Sequence, residues 1–237
     1  MLEAKDLVLS GWAETPAVRS LIGVLRLKGL EFRFEAFTLR ELREIIRHDG
    51  GVRGPRLRVD GRTVVGARAI RDFLEDHRPQ PALRPRDISA AAWCHVLEDW
   101  AEEALAWRVA VLRWLVPAHR ERAAAASAAS APVLLRPVLA ETHRVAMTLR
   151  LRARGRTAAD VPAAEAALRR DLDELDRLLH DRDTLLGEPH GRTTADLVVA
   201  AELQALDGTS YEESVRARRS LIRWLRATRA AWDPGPS

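Results

Sequence analysis

The run RPQPALRPRD at residues 78–87 divides the sequence into two parts with different apolar patterns. Before it, alternating apolar positions typical of half-buried strands interleave with apolar positions at helical spacing. After it, only the helical spacing recurs. Since proline-rich segments interrupt regular structure, we predict an α/β domain over residues 1–78, a linker over 79–87 and an all-helical domain over 88–237.

The first part follows the order strand, helix, strand, helix, strand, strand, helix. A βαβ unit followed by a ββα unit predicts a compact α/β domain. Strands are predicted over 6–12 and 31–37 and in a hairpin over 55–65 that turns at Asp60-Gly61, with helices over 16–29, 39–48 and 67–77. In the second part, helices are predicted over 88–118, 123–155, 162–180, 193–206 and 212–231.

Composition excludes several functional classes. The formal net charge is only +4, because 34 acidic residues are interspersed with the basic ones. Binding to a phosphate backbone favours a single-sign basic block, so we expect no nucleic-acid partner. The single cysteine, Cys94, excludes an internal disulfide and a Cys-based zinc site. The histidines lack paired ligand spacing, and Walker-type and GxSxG motifs are absent, so we expect no metal.

The first ten residues, MLEAKDLVLS, lack a basic segment before an apolar core and are not typical of a signal peptide. No apolar run reaches the roughly 18 residues that a membrane-spanning helix needs. We therefore expect a soluble cytoplasmic protein with no membrane partner.

Three segments carry a resemblance to a known family: GVRGPRLRVDGRTVVGARAIRDFLE, LLGEPHGRTTADLVVAAEL and ARRSLIRWLRATRA. In the second, Thr193 and Asp196 have the spacing of a helix capping box. With the order of elements, these segments make nearly the whole chain similar to the cytosolic glutathione transferases. The resemblance implies a thioredoxin-like N-terminal domain, a helical-bundle C-terminal domain, glutathione as cofactor, a small electrophile as partner and a homodimer.

In that family a residue near the start of the first helix, usually Tyr, Ser or Cys, stabilises or bonds the glutathione thiol. The only tyrosine here is Tyr211 and the only cysteine is Cys94, both far downstream. The resemblance therefore makes Thr15, immediately before Pro16, the candidate catalytic residue. A threonine before proline at a helix start is equally explained as an N-cap.

The resemblance also suggests where glutathione binds. Gly54-Pro55 stands at the family's cis-proline position, where backbone groups bind the cysteinyl part, although a plain trans turn is the alternative. Relatives carry an acidic residue and Ser before the next helix, but Gly66-Ala67 occupies those positions here, leaving backbone N–H groups and the helix N-terminus. The candidate cofactor-binding residues are Arg53, Gly54, Pro55, Gly66, Ala67 and Arg68.

Four tryptophans, Trp93, Trp100, Trp107 and Trp114, recur every seven residues. On a straight helix this spacing drifts by only about 20° per step, so the four are expected to share one face. That face either packs in the core or forms a flat apolar wall for an aromatic acceptor. The candidate substrate-binding residues are Trp12, Trp100, Trp107 and Arg108.

Three functions follow from these observations. The first is a glutathione-transferase-like enzyme that conjugates or reduces a small hydrophobic electrophile. The second is a protein of the same fold that has lost transferase chemistry and acts as a binding or interaction module. The third uses a thiol other than glutathione, which would account for the altered Gly66-Ala67 site.

Overall fold

A computed structural model describes residues 7–37, 54–129 and 133–232. Within these ranges, four strands form one mixed sheet in the order β2-β1-β3-β4. The strands are β1 (Val8–Gly11), β2 (Arg33–Ala36), β3 (Arg56–Val59) and β4 (Arg62–Val65). β1 pairs parallel with β2 and antiparallel with β3, and β3 pairs antiparallel with β4. Asp60 and Gly61 both have positive φ, as a tight hairpin turn requires.

The helices confirm an α/β part followed by an all-helical part. They are α1 (Pro16–Leu27), α2 (Ala67–His77), α3 (Ile88–Trp100), α4 (Ala106–Trp114), α5 (Pro117–Ser127), α6 (Arg136–Ala153), α7 (Val161–Leu178), α8 (Thr194–Gln204), α9 (Glu212–Arg216) and α10 (Arg219–Arg229). A π-helical turn over Ala101–Leu105 joins α3 to α4, and 3-10 turns lie at Val133–Leu135 and Ala158–Asp160. The helix predicted over 39–48 lies outside the described residues.

Two long predicted helices are shorter than expected. The helix predicted over 88–118 ends at Trp114, and Pro117 opens α5 in the first-turn position where its missing N–H costs nothing. The helix predicted over 123–155 is likewise divided between α5 and α6, and a proline again stands in the first turn of α6.

The helix predicted over 212–231 is also two helices. The Asp176 carboxylate on α7 accepts the backbone N–H groups of Ser220 and Leu221, both at 2.9 Å. This cap comes from a distant part of the chain, and it fixes a new helix start at α10 that the local sequence does not reveal.

The peptide bond before Pro55 differs from the expectation. Among the described residues, cis peptide bonds precede Pro81 and Pro189, so the Gly54–Pro55 bond is trans and its prediction as cis is wrong. The trans form is the intrinsically favoured one, and in this form the Pro55 carbonyl accepts the N–H of Gly66 at 2.8 Å.

Helix α8 is buried along almost its whole length, and the α/β part packs directly on it. At Gly23 of α1 an added Cβ would lie 2.9 Å from a methyl carbon of Leu197, so only glycine permits this close approach of the two helices. The helix that crosses the centre of the molecule therefore also positions α1.

The predicted capping box at the start of α8 is confirmed and is larger than predicted. The fully buried Asp196 carboxylate accepts the N–H and the hydroxyl of Thr193, both at 2.8 Å. It also accepts the backbone N–H of Leu185 and the indole N–H of Trp224, again at 2.8 Å. One carboxylate thus joins α8, the loop before it and α10.

We predict that Asp196→Asn lowers the free energy of unfolding by about 3 kcal/mol or more, since it removes the charge that four donors surround. Asp160→Asn is the matched control. Asp160 forms the same box with Thr157 on an exposed 3-10 turn, so its loss is expected to cost about 1 kcal/mol or less. Urea denaturation of both variants measures the difference, and equal costs would contradict the central role of Asp196.

Candidate functional site

A cavity of about 760 Å³ lies between the α/β part and the helical part. From the α/β part it is lined by the β1–α1 loop, the segment before β3 and the start of α2. From the helical part it is lined by α4, α6, α8 and the π turn. The predicted site residues that line it are Trp12, Thr15, Gly54, Pro55, Gly66, Ala67, Arg68 and Trp107.

Thr15 lies at the cavity wall and caps α1. Its Oγ1 accepts the backbone N–H of Val18 at 3.4 Å and donates to the carbonyl of Trp12 at 2.8 Å. The N-cap interpretation is therefore satisfied by geometry. The hydroxyl proton points at a backbone carbonyl, but a hydroxyl turns about its C–O bond and can donate to another acceptor in the cavity.

The segment around Gly54 brings backbone groups to the cavity in place of side chains. A Cβ added at Gly54 would lie 3.1 Å from the Cα of Gly66, so the two loops approach closely. Gly66 has φ 98° and caps α2 without a side-chain hydrogen bond. Ala67, Arg68 and Ala69 at the start of α2 line the cavity, and this helix start has no capping side chain, an arrangement that suits a carboxylate.

Arg68 is engaged elsewhere, because it forms a salt bridge with Asp99 on α3. Arg53 lies outside the described residues.

The tryptophans do not share one face, and the π turn explains why. The N–H of Ala106 bonds to the carbonyl of Ala101, five residues back, which places one more residue in the turn than an α-helix holds. Each residue advances an α-helix by about 100°, so Trp107 and Trp114 are rotated away from Trp93 and Trp100. Trp93 is 60% exposed, whereas Trp114 is 5% exposed and lines the cavity with Trp107.

Two predicted substrate-binding residues lie away from the cavity lining. Trp100, just before the π turn, packs against the hydrophobic core. Arg108 forms a salt bridge with Asp171 on α7. Both predictions assumed a straight helix. The π turn rotates α4 relative to α3, so the helix face predicted for these residues is not the face that lines the cavity.

Three rings form one wall of the cavity, in which His143 is stacked on Trp114 and tilted by 48° against Trp12. The imidazole of His143 lies between Trp12 and Trp114, at 5.2 and 5.8 Å between ring centroids. Burial, and then the charge of Arg113, lowers the pKa of His143 to about 4. The imidazole is therefore neutral at physiological pH and acts as a third aromatic surface.

The cavity also holds charged residues that the sequence did not single out: Arg113, Arg150, Arg154 and Glu202. Burial, and then the nearby Glu102, raises the pKa of Glu202 to about 8. Glu202 stands in the otherwise apolar run LVVAAEL, and a lone carboxylate there is the one signal that could have indicated it.

Within the described residues, no cluster of three or more His, Cys, Asp or Glu side chains could hold a metal ion. Cys94 is buried beside Thr194 and Glu98, and burial raises the pKa of its thiol. None of the helices in the described ranges is long and apolar enough to span a membrane.

No protein-family model matches the chain, and no curated protein matches it significantly in sequence. Solved structures match its fold. A glutathione S-transferase from Rhodospirillum rubrum is 20% identical, with a TM-score of 0.65, over 96% of this chain and 90% of that one. The beta-etherase LigF from Sphingobium is 22% identical, with a TM-score of 0.70, over 96% and 97%. Glutathione transferase F7 from Populus trichocarpa is 16% identical, with a TM-score of 0.66, over 96% of both chains.

These likenesses show that the chain has the glutathione S-transferase fold, with a thioredoxin-like α/β part and a helical part. The low identities make it a divergent example of that fold, which agrees with the resemblance in the sequence.

We predict that Glu202 makes the fold less stable as the pH rises. Its pKa is about 8 in the folded protein against an ordinary 4.5, so between about pH 5 and pH 8 the unfolded chain releases a proton that the folded chain keeps. This group alone therefore lowers the free energy of unfolding by about 1.4 kcal/mol per pH unit in that window. Glu202→Gln has no such proton to lose. The free energy of unfolding of Glu202→Gln, measured relative to that of the wild type, is therefore expected to increase as the pH rises.

Urea denaturation at several pH values measures this difference. Glu103→Gln, which changes an exposed carboxylate of the same cavity, is the control and is expected to follow the wild-type curve. Parallel curves for Glu202→Gln and the wild type would contradict the prediction.

Proposed function

We propose that the protein is a glutathione transferase-like enzyme that acts on a small hydrophobic electrophile. Glutathione would supply a thiol whose sulfur bonds to the electrophilic carbon while the leaving group departs with its electron pair and the thiol proton passes to solvent. The observation that carries the proposal is the cavity, which is lined both by the backbone segments around Gly54 and Gly66 and by a wall of rings. A cavity of this composition accommodates a polar cofactor beside an apolar substrate.

Two backbone segments would each bind a different part of glutathione. The backbone of Gly54 and Pro55 would bind the cysteinyl part, as an added strand does. The uncapped N–H groups of α2, beginning at Ala67, would bind the γ-glutamyl carboxylate. Because Gly66-Ala67 supplies no side-chain hydrogen bonds, binding is expected to be weaker by roughly 30- to 1000-fold than in a site with both.

Thr15 would stabilise the thiolate. Its hydroxyl would turn from the Trp12 carbonyl toward the sulfur, and a hydrogen bond to a charged acceptor is worth about 1.5–3 kcal/mol. This stabilisation would lower the pKa of the thiol and raise the fraction of nucleophilic thiolate.

We predict that glutathione binds in the millimolar range in calorimetry, and that Thr15→Ala then lowers kcat/KM for a generic aryl halide by about tenfold or more. Thr15→Ser restores the donor and is expected to restore the rate. Thr15→Asp retains an N-cap acceptor but has no hydroxyl donor, and its charge repels a thiolate, so its rate is expected to be no higher than that of Thr15→Ala although the helix cap is kept.

The pH dependence of the conjugation rate gives a second measurement, since loss of the donor moves the rate profile to higher pH. An unchanged rate in Thr15→Ala would leave Thr15 as a helix cap only. If glutathione at millimolar concentration does not bind, the proposal that the protein is a glutathione-dependent enzyme is refuted.

Two alternative functions rest on specific observations. Gly66-Ala67 removes the usual side-chain contacts to glutathione, and the Thr15 hydroxyl already has an acceptor in the Trp12 carbonyl. Both observations favour a binding or interaction module, or an enzyme that uses another thiol. Calorimetry with other low-molecular-weight thiols separates the two, because only the second alternative predicts binding of one of them.

The proposal includes a homodimer. On α3, Trp93 is 60% exposed and Val96, one turn away, is 52% exposed. The Arg68–Asp99 salt bridge joins α2 to α3 beside them, and Val65 just before α2 is also exposed. An exposed apolar patch that includes a tryptophan is typical of a protein interface.

We predict that Trp93→Asp shifts the protein from dimer to monomer in sedimentation velocity, because it places a charge in the apolar patch. Ala166→Asp is the control, since Ala166 is exposed on α7, a helix on which no large apolar side chain is exposed, and the change is expected to leave the dimer intact. A wild-type protein that sediments as a monomer would refute the homodimer.

A further inference from the structure

Beside Glu202 and the exposed Glu103, two groups of charged residues line the cavity. In the first group each member is paired: Glu14 with Arg19, Asp72 with Arg84, and Glu102 with Arg71. These pairs hold the elements together around the cavity. Since their charges are balanced within the protein, they give the cavity little attraction for a charged ligand.

The second group consists of Arg113 on α4, Arg150 on α6 and Arg154, the residue that follows α6. Of the ion pairs formed by residues in the described ranges, none within 4.0 Å involves these three guanidinium groups. Burial, and then the charge of Arg19, lowers the pKa of Arg113, and burial likewise lowers the pKa of Arg150. Arg113 is half-buried, so part of its guanidinium is withdrawn from water without a carboxylate partner, and an anionic ligand can offset that desolvation cost. The side chains of Arg150 and Arg154 are exposed, and they line the same cavity with their N–H donors free of ion pairs.

Glu202 does not neutralise this group. It lies close enough to feel the charges of both Arg113 and Arg150, yet it remains largely protonated at neutral pH because its pKa is about 8. A protonated carboxyl can donate a hydrogen bond to a bound anion, whereas an ionised one would repel it. The two arginines therefore share the cavity with a carboxyl group that is largely neutral at this pH.

The arginines also change the role of Trp107. The guanidinium carbons of Arg154 and Arg150 lie 4.3 and 5.4 Å from the centroid of its ring. These cation–π contacts hold both side chains against the cavity wall without using their N–H donors. The sequence predicted a purely apolar wall. The wall instead combines aromatic surface with the N–H donors of the two arginines.

We propose that the electrophile bound in this cavity is an aromatic carboxylate, whose ring packs on the Trp12–His143–Trp114 wall and whose carboxylate binds Arg113 and Arg150. This inference rests on the proposed function for the reaction, and it adds the substrate class. An uncharged aromatic electrophile would fill the same space but leave the guanidinium groups without a counter-charge. Arginine suits a carboxylate because its planar fork can donate two parallel hydrogen bonds.

The experiment measures binding without any chemistry. Calorimetry compares dinitrobenzoate with its methyl ester in the absence of thiol, so that neither compound can react. The benzoate is expected to bind the wild-type protein at least about tenfold more tightly than the ester. Equal affinities would overturn the proposal, and this comparison needs no variant to fold.

Variants then assign the effect to residues. Arg113→Gln and Arg150→Gln are each expected to weaken benzoate binding by about 10- to 100-fold, and ester binding by less than about twofold. Arg144→Gln is the matched control on α6, because Arg144 pairs with Glu141 outside the cavity and its loss is expected to change neither affinity. Equal losses for both probes in the two cavity variants would overturn the assignment.

Conjugation separates this inference from the proposed function. With glutathione, chloro-dinitrobenzoate and its methyl ester react by the same substitution, in which a C–S bond forms, chloride leaves and the thiol proton passes to solvent. If the benzoate binds through the arginines but neither compound is conjugated, the transferase proposal fails and the anion site stands. If both compounds are conjugated at equal kcat/KM and bind equally, the transferase proposal stands and the anion site is refuted.

Discussion

The buried Asp196 carboxylate is the interaction on which the rest of the molecule depends. It brings four donors from α8, the loop before it and α10 to one point. Helix α8 must start at this point for Leu197 to meet Gly23 of α1 and for Glu202, farther along the same helix, to reach the cavity. The position of the cavity therefore follows from a hydrogen-bonded charge that takes no part in binding.

A second buried charge joins the two parts of the chain. Glu98 on α3 is fully buried, accepts the hydroxyl of Thr194 at the start of α8, and lies within 3.5 Å of Arg71 on α2. Arg71 also pairs with Glu102, and Glu98 also lies 3.4 Å from Arg84, so the buried charges form a network in which each has a second partner. The contrast with Arg113 is instructive, because the fold satisfies its structural charges and leaves that cation available to a ligand.

Much of the fold could be predicted from the sequence, because its signals are local. The alternation around Phe34, the Asp60-Gly61 turn and the box at Thr193 each act over a few residues, and the structure confirms them. The breaks between helices depend on remote partners such as Asp176, which no local pattern contains. The division into domains stays a prediction. The resemblance pointed to Thr15 and Gly54, which line the cavity, and their roles stay predictions. Arg113 and Glu202 were missed because only the packing of α4, α6 and α8 brings them together.

The π turn over Ala101–Leu105 makes the shape of the cavity depend on chain length as well as on residue identity. One extra residue in that turn decides which side chains of α4 meet α6 and α8. A single-residue deletion there would restore a continuous α-helix and rotate all of α4 by about 100°, exchanging Trp107 and Trp114 for other side chains at once. A new set of lining residues could thus arise from one change in length, without a series of point substitutions in the cavity itself.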